Sequence, residues 1–190
     1  MSYISLVDVS KSFDDKIVLN RFSMSLEKGK SLCIMGPSGC GKTTIINLLL
    51  GFVKPDSGTI NAPNTASVVF QEDRLCEDFS ALSNVRISGA CKNLCLELLN
   101  EMGISSEAKK AVKTFSGGMK RRVAIARALA AEADFYIFDE PFKGLDEKTK
   151  LLVIDSVKRR LDGKTFILIT HDRDESDAFN APIIELSQIN

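Results

Sequence analysis

The chain has 190 residues, about the size of one domain, and is 44% hydrophobic and 26% charged. Its mean hydropathy of +0.02 excludes wholesale disorder. Its 25 basic and 25 acidic residues cancel, which argues against nucleic acid as a partner, because binding a polyanion draws on a basic excess.

From the N-terminus, residues 3–9 and 17–26 read as short strands around a polar loop at 11–16. The start carries no signal-peptide profile. An apolar strand at 31–35 runs into a Gly/Pro/Ser stretch, and residues 42–50 then have helical spacing with Gly51 as a stop. Residues 52–65, with Pro55, Gly58 and Pro63, read as loop, and 67–70 as a strand. From 78 to 113 the pattern is helical, broken at Gly89 and Gly103, with no convincing strand. A helix at 118–131, a strand at 135–138, a helix at 147–161 and a strand at 165–169 follow, and a short helical turn and a strand at 182–186 complete the pattern. Strands alternating with helices, the strands apolar throughout, imply an α/β fold around a mainly parallel sheet. No apolar run approaches the roughly 18 residues of a spanning helix, so a membrane role is expected to pass through a partner chain. Five cysteines, at 33, 40, 76, 91 and 95, form no C-x-x-C pair. With a single histidine they offer no metal cluster, and reduced thiols are expected.

The densest signal is Gly36-Pro37-Ser38-Gly39-Cys40-Gly41-Lys42-Thr43, a complete G-x-x-x-x-G-K-[ST] between a predicted strand and a predicted helix. Such glycines let successive backbone N–H groups turn inward on an anion, and the helix start adds its partial positive charge. In this motif Lys42 reaches the β and γ phosphates and the Thr43 hydroxyl ligates Mg²⁺. A phosphate loop needs an acidic partner at another strand end, and Asp139-Glu140 supplies it after Phe135-Tyr-Ile-Phe. Asp139 is expected to hold Mg²⁺ and Glu140 to polarise the attacking water. Ser116-Gly117-Gly118 opens a long helix and reads two ways, as a plain N-cap or as a second anion site. One nucleotide has one triphosphate, so a second such site makes sense for a nucleotide on another subunit. The basic runs 120–122 and 158–160 are expected to be solvated helix faces.

FSGGMKRRVAIARAL, in order with the phosphate loop, FYIFDEP and ITHD, resembles the ATP-binding cassette of ABC transporters from Phe13 to about Asp177. The resemblance implies a single cassette over 1–190, a P-loop NTPase core with an N-terminal antiparallel β subdomain and a helical insert at about 72–130. It implies ATP and Mg²⁺ as cofactors and residues 36–44, Thr44 included, around the nucleotide. By the same resemblance Phe13 stacks on adenine, Gln71 touches Mg²⁺ and faces the membrane partner, Asp146 is the D-loop aspartate, and His171 contacts the γ-phosphate. Two cassettes, identical or not, are implied to sandwich two nucleotides, each site completed by the other chain's Ser116–Gly118, and to drive separate permease subunits from the cytoplasmic face of the membrane. Met119, Gln71-Glu72, Pro141-Phe142 and 170–175 look most like importers for nitrate, sulfonate and taurine, which adds an extracytoplasmic solute-binding protein as a partner. The segment after Gln71 lacks the Pro-Trp often seen there, and with only 19 residues after His171 no C-terminal regulatory domain is expected. The rival reading is an ABC ATPase outside transport, in iron–sulfur assembly, cell division or repair.

Overall fold

The computed structural model describes residues 2–14 and 16–187. Strands β1 (Ile4–Phe13) and β2 (Lys16–Leu26) form an antiparallel hairpin, and β4 (Ser57–Asn61) pairs antiparallel with the other edge of β1. The larger sheet is fully parallel in the order β5-β6-β7-β3-β8. Its members are β3 (Ser31–Met35), β5 (Ala66–Val69), β6 (Phe135–Asp139), β7 (Thr165–Ile169) and β8 (Ile183–Glu185). Crossovers between parallel strands demand helices: α1 (Lys42–Leu49), α2 (Ala81–Arg86), α3 (Lys92–Glu101), α4 (Gly117–Ala130), α5 (Glu147–Arg160) and α6 (Arg173–Ala178).

The central strands are mostly apolar because both sheet faces are covered, and every residue of β6 and β7 is buried. Alternation assigns their side chains to two cores. Ile137, Ile167 and Ile169 join Ile45 and Ile46 of α1 and Leu6 of the hairpin, while Phe138, Phe166 and Leu168 join Val123 of α4 and Val153 of α5. Phe138 meets Phe166 edge-on, with ring centroids 5.2 Å apart. Full burial of each such side chain contributes about 1.5–3 kcal/mol. The C-terminal ends of β3, β5, β6 and β7 all open on the same edge, where open parallel sheets bind ligands.

Two expectations need correction. The polar loop at 11–16 is mostly strand: Lys11 pairs with Leu19 and Phe13 with Lys16, and Asp15 lies outside the described residues. Its polarity reflects a hairpin arm with solvent on it rather than a break in the ladder. The segment 52–65 contains β4, which Gly58 disguised as loop. Gly58 has φ +89°, and a Cβ there would come within 2.4 Å of the Asp8 carbonyl oxygen. The β1 register shifts between Val7 and Ser10, so this glycine marks a close strand approach to an irregularity.

Candidate active site

The phosphate-loop residues lie between β3 and α1. Gly41 has φ +103°, and a Cβ on it would come within 3.2 Å of Val18 and Leu19, so the loop is tucked under β2 in a form other residues reach only with strain. No side chain caps α1 and no acid lies in its first turn, which leaves its N–H groups and partial positive charge to an anion. Lys42 curls over its own loop, its Nζ donating to the carbonyl oxygens of Gly36 at 2.6 Å and Pro37 at 2.9 Å. It lies in a cavity of about 440 Å³ lined also by Ser38, Gly39, Thr43, Thr44, Gln71, Asp139, Glu140, Lys143 and His171. Cys40 is buried beneath the loop, its Sγ 3.9 Å from Lys42 Nζ.

Asp139 terminates β6 and is 5% exposed. Burial first, and then the neighbouring Glu140 charge, push its carboxyl up to about 6, against the pull of Lys42 and Arg121. Glu140 has φ +49°, a conformation that costs a non-glycine residue about 1–3 kcal/mol. Its backbone N–H donates to Ile169 O at 2.8 Å, so β7 holds the bend. The bend presents the carboxylate to His171, whose Nδ1 lies 2.9 Å from both Glu140 oxygens. Two adjacent carboxylates, one of them desolvated, beside the oxygen donors of Thr43 and Gln71 make a hard-ligand set suited to Mg²⁺.

His171 is 68% exposed on its side chain, but its loop is anchored from behind. Lys150 of α5 reaches Asp172 Oδ2 at 2.5 Å and Glu175 Oε1 at 3.1 Å, and Thr170 donates its hydroxyl to Glu175. Sequence reading missed Lys150, and took Thr170 and Glu175 only as marks of the importer type. The available signal was two acids one and four residues past the histidine, next to a strand-terminal threonine.

Ser116, Gly117 and Gly118 line a different hollow, of about 530 Å³, with Asp73, Arg121, Arg122, Leu145, Asp146 and Thr149. Ser116 Oγ accepts from Met119 N at 3.3 Å, so it is an N-cap, and it also faces a cavity. Asp146 caps α5 by accepting from Thr149 N at 3.1 Å, a bond that holds its carboxyl below the usual range. Among the described residues only Lys143 borders both hollows. Within one chain the Ser-Gly-Gly start and the phosphate loop therefore serve separate spaces. Phe13 stands at the end of β1, 43% exposed, with Lys11 Nζ 5.3 Å from its ring centroid. Val18 of the same hairpin, rather than Phe13, borders the first cavity.

The solvated face expected at 120–122 is corrected by its arginines. Lys120 is a surface partner of Glu77, but Arg121 is 6% exposed and donates to the Phe70 and Gln71 carbonyls. Arg122 donates to Met102 O at 2.8 Å. In the second run Arg160 pairs with Glu97 and Glu101, while Lys158 and Arg159 are exposed as expected.

The family model described as "ABC transporter" matches residues 19–143. A taurine import ATP-binding protein of Pseudomonas aeruginosa is 38% identical, with 93% of this chain covering 75% of that one. An aliphatic sulfonates import ATP-binding protein of Rhodococcus jostii is also 38% identical, over 91% of this chain and 67% of its own. Among solved structures, a cassette of a bacterial ABC transporter in a post-hydrolysis state, dimeric and bound to ADP and phosphate, is 28% identical. It superposes with a TM-score of 0.85 over 98% of this chain and 97% of that one.

Proposed function

The chain belongs to the ABC transporter family, and from that premise we propose how its residues divide the work of an ATP-hydrolysing subunit. It binds ATP and, as a pair of cassettes, couples hydrolysis to solute movement through a separate permease. Residues 1–190 are taken as one cassette whose helical part spans about 72–130; residues 1, 15 and 188–190 lie outside the described ones.

The backbone amides of 38–44 and the Lys42 ammonium hold the β and γ phosphates, exchanging the Gly36 and Pro37 carbonyls for phosphate oxygens. Thr43, Gln71 and Asp139 would hold Mg²⁺, which when bound neutralises charge on the phosphates. Glu140 takes the proton of a water whose oxygen attacks the γ-phosphorus in line, as the bond to the bridging oxygen breaks and ADP and phosphate form. His171 holds Glu140 through Nδ1 and uses its other ring nitrogen toward the γ-phosphate.

One observation carries the sandwich: the phosphate loop lines one hollow and Ser116–Gly118 another. Each γ-phosphate then meets the partner's Ser116, with Asp146 at the seam. Ser116→Arg puts a bulky cation at that seam. Steady-state turnover should fall to background while nucleotide binding to the single chain stays near normal. Retained turnover rejects the shared site.

Adenine is assigned to the hairpin arm. Stacking on an aromatic ring is worth about 1–3 kcal/mol per base. Phe13→Ala should accordingly raise the apparent ATP constant about 5- to 150-fold and leave maximal turnover near wild type. Since stacking accepts any base, GTP should be used less well but measurably. An unchanged ATP constant removes Phe13 from the site.

No helix among the described residues is long and apolar enough to cross a membrane. By its likeness to import ATP-binding proteins, the chain is assigned a peripheral place on the cytoplasmic face, held by permease subunits, with a small sulfonate of the taurine type as solute and an extracytoplasmic binding protein delivering it. Affinity capture of the tagged chain from detergent-solubilised membranes tests this. A multi-span permease should accompany it, and capture of an active ATPase with no membrane protein favours a role outside transport.

A further inference from the structure

Resting on the roles given above to Gln71 and Ser116, we propose that Arg121 is a positioning residue: it straps the 70–74 segment to α4, so that Gln71 and the helix start at Ser116 move as one body. Beyond β5 the chain has no regular structure from 70 to 74, so these carbonyls have no ladder or helix partner and turn to side chains or water. Arg121 is one such partner, Nη1 donating to Phe70 O at 2.6 Å and Nη2 to Gln71 O at 2.5 Å. Arg127 repeats the arrangement, Nη1 to Arg74 O at 2.8 Å and Nη2 to Asp73 O at 3.0 Å. Four of the five carbonyls from 70 to 74 thus accept from two guanidinium groups on α4.

A guanidinium is a rigid fork, so two bonds from one fork fix direction as well as distance. Asp73 Oδ1, 3.3 Å from Arg121 Nη1, is buried with no hydrogen bond, so Arg121 is its leading compensating cation, with Lys120 and Arg127 contributing less. Arg74 has φ +45° and lays its guanidinium 3.8 Å over the Phe70 ring, closing the segment into a bend. Gln71 borders the first cavity and Ser116 the second. Arg121 lies between them, on the helix that Ser116 caps. A displacement of that helix start when it docks on a partner's nucleotide is carried by the strap to the main chain of Gln71.

The test uses the full chain with three variants. Arg121→Met keeps the stem and removes the donors, Arg121→Met/Asp73→Asn also removes the carboxylate left without its cation, and Arg121→Lys restores a single charged donor. Hydrogen–deuterium exchange of the nucleotide-free protein should quicken over 70–76 in both Met variants, while β6 and β7 keep wild-type protection. Turnover should fall about 10–100-fold, the usual effect of losing a group that orients a ligand residue, with the ATP KM little changed and Arg121→Lys recovering part of both. Unchanged exchange over 70–76, unchanged turnover, or loss of protection across the whole sheet in both Met variants overturns the proposal. A wild-type chain that turns over no ATP overturns the reading of the site instead, and the exchange arm still decides the strap.

Discussion

Lys42→Ala should abolish ATP turnover and weaken ATP binding. The ammonium curls over the loop, and two loop carbonyls at 2.6 and 2.9 Å preset its place. A hydrogen bond to a charged group is worth about 1.5–3 kcal/mol, so the dissociation constant should rise roughly 10- to 150-fold. Turnover should fall further, by at least about a hundredfold, because charge developing on the transferring phosphoryl group loses a preorganised partner. The variant also removes the leading cation that opposes the rise of the Asp139 carboxyl. That carboxyl then climbs above about 6, is less ionised at neutral pH and holds Mg²⁺ less well. Phosphate release and nucleotide titration check both parts. Wild-type turnover in the variant removes Lys42, and with it the phosphate-loop assignment.

Glu140→Gln should lower turnover about 10²–10⁴-fold, the range for loss of a positioned general base, and leave ATP binding intact. The amide keeps the shape of the side chain and still accepts from His171 Nδ1 through its oxygen. The bend at residue 140 is held by its backbone N–H on Ile169 O, which the substitution does not touch. The lost negative charge has a second effect. Glu140 is the nearest like charge raising the Asp139 carboxyl, so Asp139 falls toward the ordinary carboxylate range and remains ionised at neutral pH. Single-turnover phosphate release with a parallel binding titration separates the two effects. Turnover near wild type takes the proton-accepting role from Glu140.

The parts of the site legible in the sequence are those written within one short stretch. The phosphate loop, the acidic end of β6 and the Ser116 cap each depend on neighbours a few residues away, so spacing and residue type were enough. Parallel strands were equally legible, because burial on both faces leaves continuous apolar runs such as 166–169. β4 was hidden because Gly58 reads as a loop former when seen alone. Its purpose is visible only against Asp8. The arginines of α4 were read as solvated because a basic run on a helix usually is. Arg121 departs from that through carbonyls 50 and 51 residues away. Lys150 was missed for the same reason: its acids lie beyond β7 and no local pattern joins them. The placement of Phe13 was drawn from motif order alone, and its ring lies outside the residues bordering the cavity.

The central claim is that ATP closes two chains head to tail, with the γ-phosphate between Lys42 of one and Ser116 of the other. In the wild type, hydrolysis should remove that phosphate and leave the dimer short-lived. Glu140→Gln preserves the phosphate, and loss of one carboxylate facing the triphosphate reduces repulsion in the closed state. Size-exclusion chromatography with light scattering on Glu140→Gln, run with ATP and again with ADP, measures the closure directly. A dimer with ATP and a monomer with ADP is the predicted result, and adding Ser116→Arg should return the ATP sample to monomer. A monomer in ATP, with the nucleotide shown to be bound, would contradict it.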